Sequence, residues 1–282
     1  MHLKTPILPA ALSGILWGTV GFFVRSLRNL PSLEIAWFRF FFGIIFLMII
    51  FPILREKIKA KNKKILFLNG LIISFWYPFY ITSINFGAGI GEAAFLLSSA
   101  YVFSVVFSAI ILKETIDKKT AFVLSLVVIG NIMILKPFEL FQNFAEVLAL
   151  ICGMAYGLNL VILRKSQKIH NSFTTVFYQF LVPSILLLPF SFTTFKLPNL
   201  NELLYLISFS LIATVFPIIL FVRSLKYLKT FEAGIPALLE PISASIIGWL
   251  VFSEIMDIFS ILGAILIILA NLYYLFIKND NK

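Results

Sequence analysis

The chain has 282 residues, of which 60% are hydrophobic and 13% charged, with a mean hydropathy of +1.01. A soluble domain of this length is about half apolar and a quarter charged, so the composition excludes an ordinary soluble enzyme or binding domain and points to a polytopic α-helical membrane protein. The net charge of +10 lies between apolar runs, as the basic flanks of membrane spans do, and argues against a nucleic-acid partner.

A span needs about 20 apolar residues to cross a hydrocarbon core of about 30 Å. Ten such runs follow in order: 8–26, 32–54, 65–85, 90–112, 119–137, 144–163, 172–193, 202–222, 233–253 and 257–277. The first continues past Trp17 with no small-x-small cleavage site, so it reads as a span and not as a cleaved signal. The connections are short, and no phosphate-binding glycine loop is present. ATP is therefore not expected as a direct energy source. The single cysteine, Cys152, allows no intramolecular disulfide, and the two histidines, His2 and His170, lie at the N-terminus and in a loop. No metal site, cofactor or catalytic group is expected.

Lysine and arginine set the orientation. With the N-terminus in the cytoplasm, Lys4, the basic clusters within 55–64, 113–119, 164–168 and 223–229, Lys278 and Lys282 all fall inside. Arg25, Arg28, Lys136 and Lys196 fall outside, and Arg39 falls within the second span. That is 18 basic residues against 4, which predicts both termini on the cytoplasmic side.

The chain is also written twice. At a spacing of 140, Glu92 meets Glu232, Glu114 meets Glu254, Asp117 meets Asp257 and Asn131 meets Asn271. At 139, Gly14 meets Gly153, Gly18 meets Gly157, Arg25 meets Arg164 and Pro78 meets Pro217. Acidic matches carry weight because only 13 acidic residues exist. The pattern predicts two five-helix repeats, 1–138 and 139–282. Five is odd, so the second repeat enters the membrane in the opposite sense. This inverted topology is an architecture of secondary transporters.

These residues resemble the EamA family of the drug/metabolite transporter superfamily, in its ten-span form. The carriers are "LSGILWGTVGFFVRSL" and "LEIAWFRFFFG" near the N-terminus and "VVFSAIILKETID" closing the fourth span. "PALLEPISASIIGWLVFSEIMD" follows in the ninth and "LGAILIILANLYYL" in the tenth. The resemblance implies solute transport, commonly export of amino acids, other small metabolites or toxic analogues. It implies a cavity between the halves lined chiefly by spans one, three, four, six, eight and nine. Glu114 and Glu254 look like the family's recurring span-end acids.

Several residues are candidates for the cavity. Pro78 and Pro217 interrupt corresponding spans, and proline-broken spans in matching places point to a binding site. They can equally be tolerated kinks. Tyr77 and Tyr80 flank the first kink, and Trp17 aligns with Tyr156. Ser98, Ser99, Tyr101 and Ser243 can hydrogen-bond a solute or allow close helix contact. Asn159, inside a span, is expensive unless bonded. Glu240 stands between Pro236 and Pro241, about 21 Å of helix rise before Glu254 and so within the hydrocarbon region. A charge there costs at least about 2.5–3.5 kcal/mol. Glu240 either binds an amine or couples a proton, or it is a structural carboxyl bonded to groups that the prolines release. Arg39 can take part in charge coupling or read a carboxylate. The structural alternatives, snorkelling to the outer interface or an ion pair with Glu34, are the preferred expectation. Asp117 or Asp257 is expected as a helix N-cap.

The expected function is a permease moving a small metabolite across the cytoplasmic (inner) membrane by alternating access, as an exporter of amino acids or related metabolites. The alternatives are an uptake carrier for a nucleotide-like cofactor such as S-adenosylmethionine or a vitamin, a membrane enzyme, or a non-transporting scaffold. Ten spans suffice for a monomer in the bilayer.

Overall fold

A computed structural model of the chain describes residues 7–53, 55, 57–113, 115–135, 144–228 and 230–279. His2, Lys4, Glu114, Lys136, Lys229 and Lys282 lie outside these residues, as does the expected repeat boundary at 138/139. Among the described residues every regular element is helical. The order is α1 (Ile7–Trp17), α2 (Val20–Ser26), α3 (Ser32–Ile53), α4 (Lys63–Asn85), α5 (Ile90–Ser98), α6 (Ala100–Leu112), α7 (Lys118–Leu135) and α8 (Phe144–Gln167). Then come α9 (Ser172–Ser191), α10 (Leu200–Ser210), α11 (Phe216–Ser224), α12 (Thr230–Ala237), α13 (Leu239–Phe252) and α14 (Ile258–Asn279). Joined across their breaks, they give nine rods long and apolar enough to cross a membrane among the described residues. The tenth expected span corresponds to α14, which is apolar over at least Ile258–Ala270.

Helix starts follow local chemistry. Asn62, Asn171 and Asn199 each accept a backbone N–H from the first turn of α4, α9 and α10. Asp117 caps α7 through the Thr120 N–H at 2.8 Å, and Asp257 caps α14 through the Phe259 N–H at 2.9 Å. Each side-chain oxygen satisfies a donor that the helix itself leaves orphaned. Leucine, isoleucine and phenylalanine fill the rest, and many stay outward: Met48, Phe75 and Trp249 are exposed. In a hydrocarbon solvent such faces carry no penalty.

Four of the nine rods are interrupted. The first breaks at Gly18–Thr19, the fourth at Ser99 and the ninth at Leu238. The eighth widens into a π-helical turn at Leu211–Val215, just before Pro217. Proline accounts for two of these. Pro217 has no N–H for the carbonyl four residues earlier, and Pro241 has none for Ala237. The Ala237 break lets α1 come close: a Cβ on Gly14 would lie 2.6 Å from the Ala237 carbonyl oxygen. Pro78, by contrast, sits within a continuous α4, where Thr82 Oγ1 donates to its carbonyl at 2.8 Å.

The core is a ring of broken and continuous rods. α1 packs against α11, α12 and α13, and α4 packs against α8 and α9. α4 and α8 run antiparallel. The Asn159 side chain donates to the Asn69 carbonyl at 3.0 Å, while Cys152 Sγ, seven residues earlier in α8, donates to the Trp76 carbonyl at 3.3 Å, seven residues later in α4. α7 and α14 pair outside the ring, with Gly130 against Gly263; a Cβ on Gly130 would lie 2.8 Å from the Gly263 carbonyl oxygen. Asn131 of α7 bonds its own helix, donating to the Val127 carbonyl at 2.9 Å.

Candidate functional site

A cavity of about 60 Å³ lies inside the ring, lined by α1, α2, α3, α4, α5, α8, α9, α11, α13 and the π-helical turn. Its wall is largely aromatic: Trp17, Phe40, Trp76, Tyr77, Tyr80, Tyr156, Phe180 and Phe221. The rings support one another. Trp17 and Phe221 lie 5.1 Å apart between centroids, Trp76 and Tyr156 4.7 Å, and Phe40 and Tyr77 5.4 Å in an edge-on contact. Tilted and edge-on pairs suit the ring quadrupole and make a stiff wall.

Polar groups are set into this wall. Glu240 enters from the first turn of α13, immediately after the Leu238 break. It is 8% exposed. Among the described residues its carboxylate accepts no hydrogen bond and has no cation within 4.0 Å. The reading of Glu240 as a carboxyl bonded to proline-released groups therefore has no partner in the structure.

Arg39 lines the same cavity, which corrects both structural expectations for it. It does not snorkel, since it is 5% exposed, and it makes no pair with Glu34. Glu34 instead accepts the Lys196 backbone N–H at 2.9 Å. Arg39 turns inward because span eight offers it an acceptor. Its Nη2 donates at 2.9 Å to the Ala213 carbonyl, the group to which Pro217 has no N–H to give. Ser210 Oγ returns a bond to the Arg39 carbonyl at 2.8 Å. The guanidinium lies over the Tyr77 ring at 4.1 Å and the Phe209 ring at 4.8 Å. Each such contact contributes up to about 2 kcal/mol at a desolvated site.

The wall carries unmet polar atoms. Among the described residues, Arg39 Nε and Nη1, Trp76 Nε1, Tyr77 Oη and Gln179 Oε1 are buried without a hydrogen-bond partner, and all five belong to residues lining this cavity. A buried polar group left unmet costs about 1–3 kcal/mol. Such a concentration marks a place where a ligand or water is meant to bond.

Of the residues singled out in the sequence, Trp17, Tyr77, Tyr80, Tyr156, Asn159, Glu240 and Arg39 line this cavity. Pro78, Ser98, Ser99, Tyr101, Pro217, Pro236 and Ser243 do not line the cavity. Ser98 and Ser243 bond carbonyls of their own helices, at Phe95 and Leu239, a common fate of serine in helices. Tyr101 stands behind the wall, its ring 6.5 Å from that of Tyr156. Spans two and seven contribute as well, through Arg39, Phe40, Gln179 and Phe180. Sequence reasoning missed Gln179. The signal was present, for Gln179 and Phe180 stand 140 residues after Arg39 and Phe40.

The two ends of the bundle differ. Arg25 Nη2 lies 3.0 Å from Glu254 Oε1 and donates to the Ala88 carbonyl at 3.0 Å. The other Glu254 oxygen accepts the Ile90 N–H at 2.7 Å. One carboxylate thus staples α2, the α4–α5 connection and the end of α13. Because α8 runs antiparallel to α4, its C-terminal turn lies at the opposite end, beside the start of α4. There Asn62 N–H donates to His170 Nε2 at 3.1 Å and Lys59 N–H to Thr174 Oγ1 at 3.0 Å. At that end a second cavity, about 560 Å³, lies between α8 and the α11–α12 connection.

Apolar rods, several of them broken, around an aromatic cavity with a buried guanidinium and a buried carboxyl define a multi-pass membrane protein with an internal cavity. A family model described as the EamA-like transporter family matches residues 4–136 and again 143–276. The chain belongs to the EamA-like transporter family. It is 29% identical over 261 residues to an uncharacterized transporter of Archaeoglobus fulgidus, covering 91% of each chain. It is 24% identical to the pseudopaline exporter CntI of Pseudomonas aeruginosa over 95% of each chain. It is 25% identical to the S-adenosylmethionine uptake transporter of Rickettsia prowazekii, over 95% of this chain and 94% of that one. One solved crystal structure superposes with a TM-score of 0.76 at 11% identity, covering 99% of each chain, which is a likeness of fold. Relatives named as transporters point to transport and away from catalysis.

Proposed function

We propose that this chain is a secondary transporter that exports amino acids or related small metabolites across the cytoplasmic membrane by alternating access. On this reading ten spans form two five-helix repeats of inverted topology, 1–138 and 139–282, with both termini cytoplasmic and the monomer as the working unit. The two matches of the family model at 4–136 and 143–276 support the division. The spread of lysine and arginine supports the orientation.

The observation that carries the reading is the central cavity with its five unmet polar atoms and its two buried opposite charges. Arg39 and Glu240 make no direct pair, so a solute bearing a carboxylate and an amine can meet both, while the aromatic wall takes its apolar part. Pockets that enclose small molecules ordinarily hold about 300 Å³ or more. At about 60 Å³ the cavity must widen to admit one, and the broken rods give it places to bend. Pro78 and Pro217 lie on two of the spans that would move.

A second reading, uptake of a nucleotide-like cofactor, draws on the Rickettsia relative named for S-adenosylmethionine uptake. That solute also carries an amino-carboxylate, and its rings fit an aromatic wall.

Counterflow in proteoliposomes tests the proposal. Vesicles loaded with unlabelled amino acids, amines, nucleosides or vitamins are assayed for transient accumulation of each labelled solute. Export substrates of the amino-acid class should give a signal, and Glu240→Gln should reduce it at least tenfold without loss of folded protein. Counterflow unchanged in Glu240→Gln removes that residue from the mechanism. No counterflow by folded protein across the panel overturns the transport reading.

A further inference from the structure

The cavity of about 560 Å³ at the basic end is nine times the size of the central one and has a different chemistry. Arg164, Gln167 and Lys168 line it from the last turn of α8. Lys226 and Tyr227 line it from the α11–α12 connection, and Glu232 from the first turn of α12. Three cations face one carboxylate. Arg164 and Glu232 each already hold interactions of their own. Among the described residues Lys168 and Lys226 have no carboxylate within 4.0 Å.

Gln167 supplies a second, independent sign. It is 6% exposed, and its Oε1 accepts the Ser172 hydroxyl at 3.1 Å. The structure places the amide with its oxygen toward that hydroxyl and its N–H₂ group away from it. The Nε2 group is left buried with no acceptor. A buried N–H₂ group beside two unpaired ammonium groups asks for an oxygen acceptor bearing negative charge. Tyr227, 77% exposed at the rim, is the kind of side chain that sits at a headgroup boundary.

We infer that this cavity is a phosphate-binding site, in which Lys168, Lys226 and Gln167 Nε2 hold the phosphate oxygens of an anionic lipid headgroup or of a soluble phosphate. The site is separate from the central cavity: Leu163 lines the one and Arg164, the next residue of α8, the other. A phosphate here would tie the end of α8 to the α11–α12 connection, as Glu254 ties three elements at the opposite end. The inference does not depend on which solute is transported or in which direction.

The test uses the purified full-length chain in an uncharged detergent at constant ionic strength. The unfolding temperature is followed while dioctanoyl-phosphatidylglycerol, dioctanoyl-phosphatidylcholine or inorganic phosphate is titrated in. A ligand that binds only the folded state raises that temperature. Phosphatidylglycerol should raise it by several degrees and the zwitterionic lipid by less. Lys168→Gln combined with Lys226→Gln should weaken the response about tenfold or more, given what two basic residues contribute at such a surface. Arg28→Gln, which changes an exposed charge near Arg25 at the other end, should leave it intact. Both lysines are exposed, so the double variant should unfold at the parent temperature without ligand. A response to inorganic phosphate alone assigns the site to a soluble phosphate. Equal responses to both lipids with none to phosphate, or a full response in the double variant, overturn the inference.

Discussion

Arg25 and Arg164 occupy matching positions 139 residues apart, yet they end in different surroundings. Arg25 is locked between Glu254 and the Ala88 carbonyl, with the Ile90 N–H completing the knot. Arg164 holds interactions of its own and lines the basic cavity. Matching positions in two similar halves thus carry different chemistry, a staple between elements at one end and a group of cations around a cavity at the other. On the alternating-access reading, the Arg25 pair shuts its own end of the bundle. A charge pair is well suited to be the shut latch. It holds in a partly desolvated setting and is released when either side chain rotates into water.

Three changes would break or sharpen that contrast. The largest effect is expected from Glu254→Gln. It removes the ion pair and weakens the acceptor for the Ile90 N–H, each a hydrogen bond to a charged group contributing about 1.5–3 kcal/mol. In a Cys152→Ser background, a cysteine replacing the buried Val20 should become several-fold more reactive toward a membrane-impermeant maleimide. Unchanged labelling would show that the pair does not close that end.

Acid should act at the opposite end. His170 is buried, and desolvation foremost, with Lys61 nearby, holds its imidazole below the ordinary value near 6.5, against a raising contribution from the Ser166 carbonyl. Its Nε2 accepts the Asn62 N–H and so must be unprotonated. A depressed histidine contributes stability that is complete above the ordinary value and is lost as pH falls through the lowered one. The unfolding temperature should therefore drop between pH 7 and pH 5, and the slope should flatten in His170→Gln. A slope that persists in the variant would assign it to other groups.

The smallest effects come from the caps, which the two ends share. Asp117→Ala removes one N-cap bond and should cost about 1 kcal/mol, read as a small fall in unfolding temperature. The Thr120 hydroxyl and N–H hold the Asp117 carboxyl below the usual carboxylate range, so its contribution is present at neutral pH and fades in acid near and below that range. Asp257→Ala should cost more. The Ser260 hydroxyl lies within hydrogen-bonding distance of both Asp257 and Glu92 of α5, its one proton serving either carboxylate in turn, and so bridges the two helices. Equal losses would deny the bridge any weight.

Much of this was legible in the sequence. The spans read from hydrophobicity alone, and Glu240, Asn159, Trp17 and Tyr156 announced themselves as polar or aromatic residues at matched depths. Arg39 carried both a cavity reading and a structural one in the sequence, because snorkelling depends on what lies beside the stem. Only the fold shows that the Ala213 carbonyl, to which Pro217 offers no N–H, stands within reach. Ser98 and Ser243 were open to two uses in the sequence, bonding a solute or allowing close helix contact, and Ser243 packs against Gly18. A hydroxyl one turn from a carbonyl satisfies itself locally, and no pattern of spacing reveals that choice. The prolines divided as well. Pro217 follows a π-helical turn, while Pro78 leaves α4 continuous. Proline removes one bond, and the neighbouring helices decide how the loss is absorbed.

The aromatic wall also makes the molecule its own optical probe. Of four tryptophans, Trp17 and Trp76 line the central cavity, and the Trp76 indole N–H has no acceptor. Trp37 is fixed elsewhere by the Ser184 carbonyl, and Trp249 is exposed on the outer face. A solute arriving between Trp17 and Trp76 changes the polarity around half of the emitting indoles and leaves the other half as a constant reference. Intrinsic fluorescence of the unlabelled protein, compared with Trp76→Phe, therefore reads occupancy of the cavity without a transport assay.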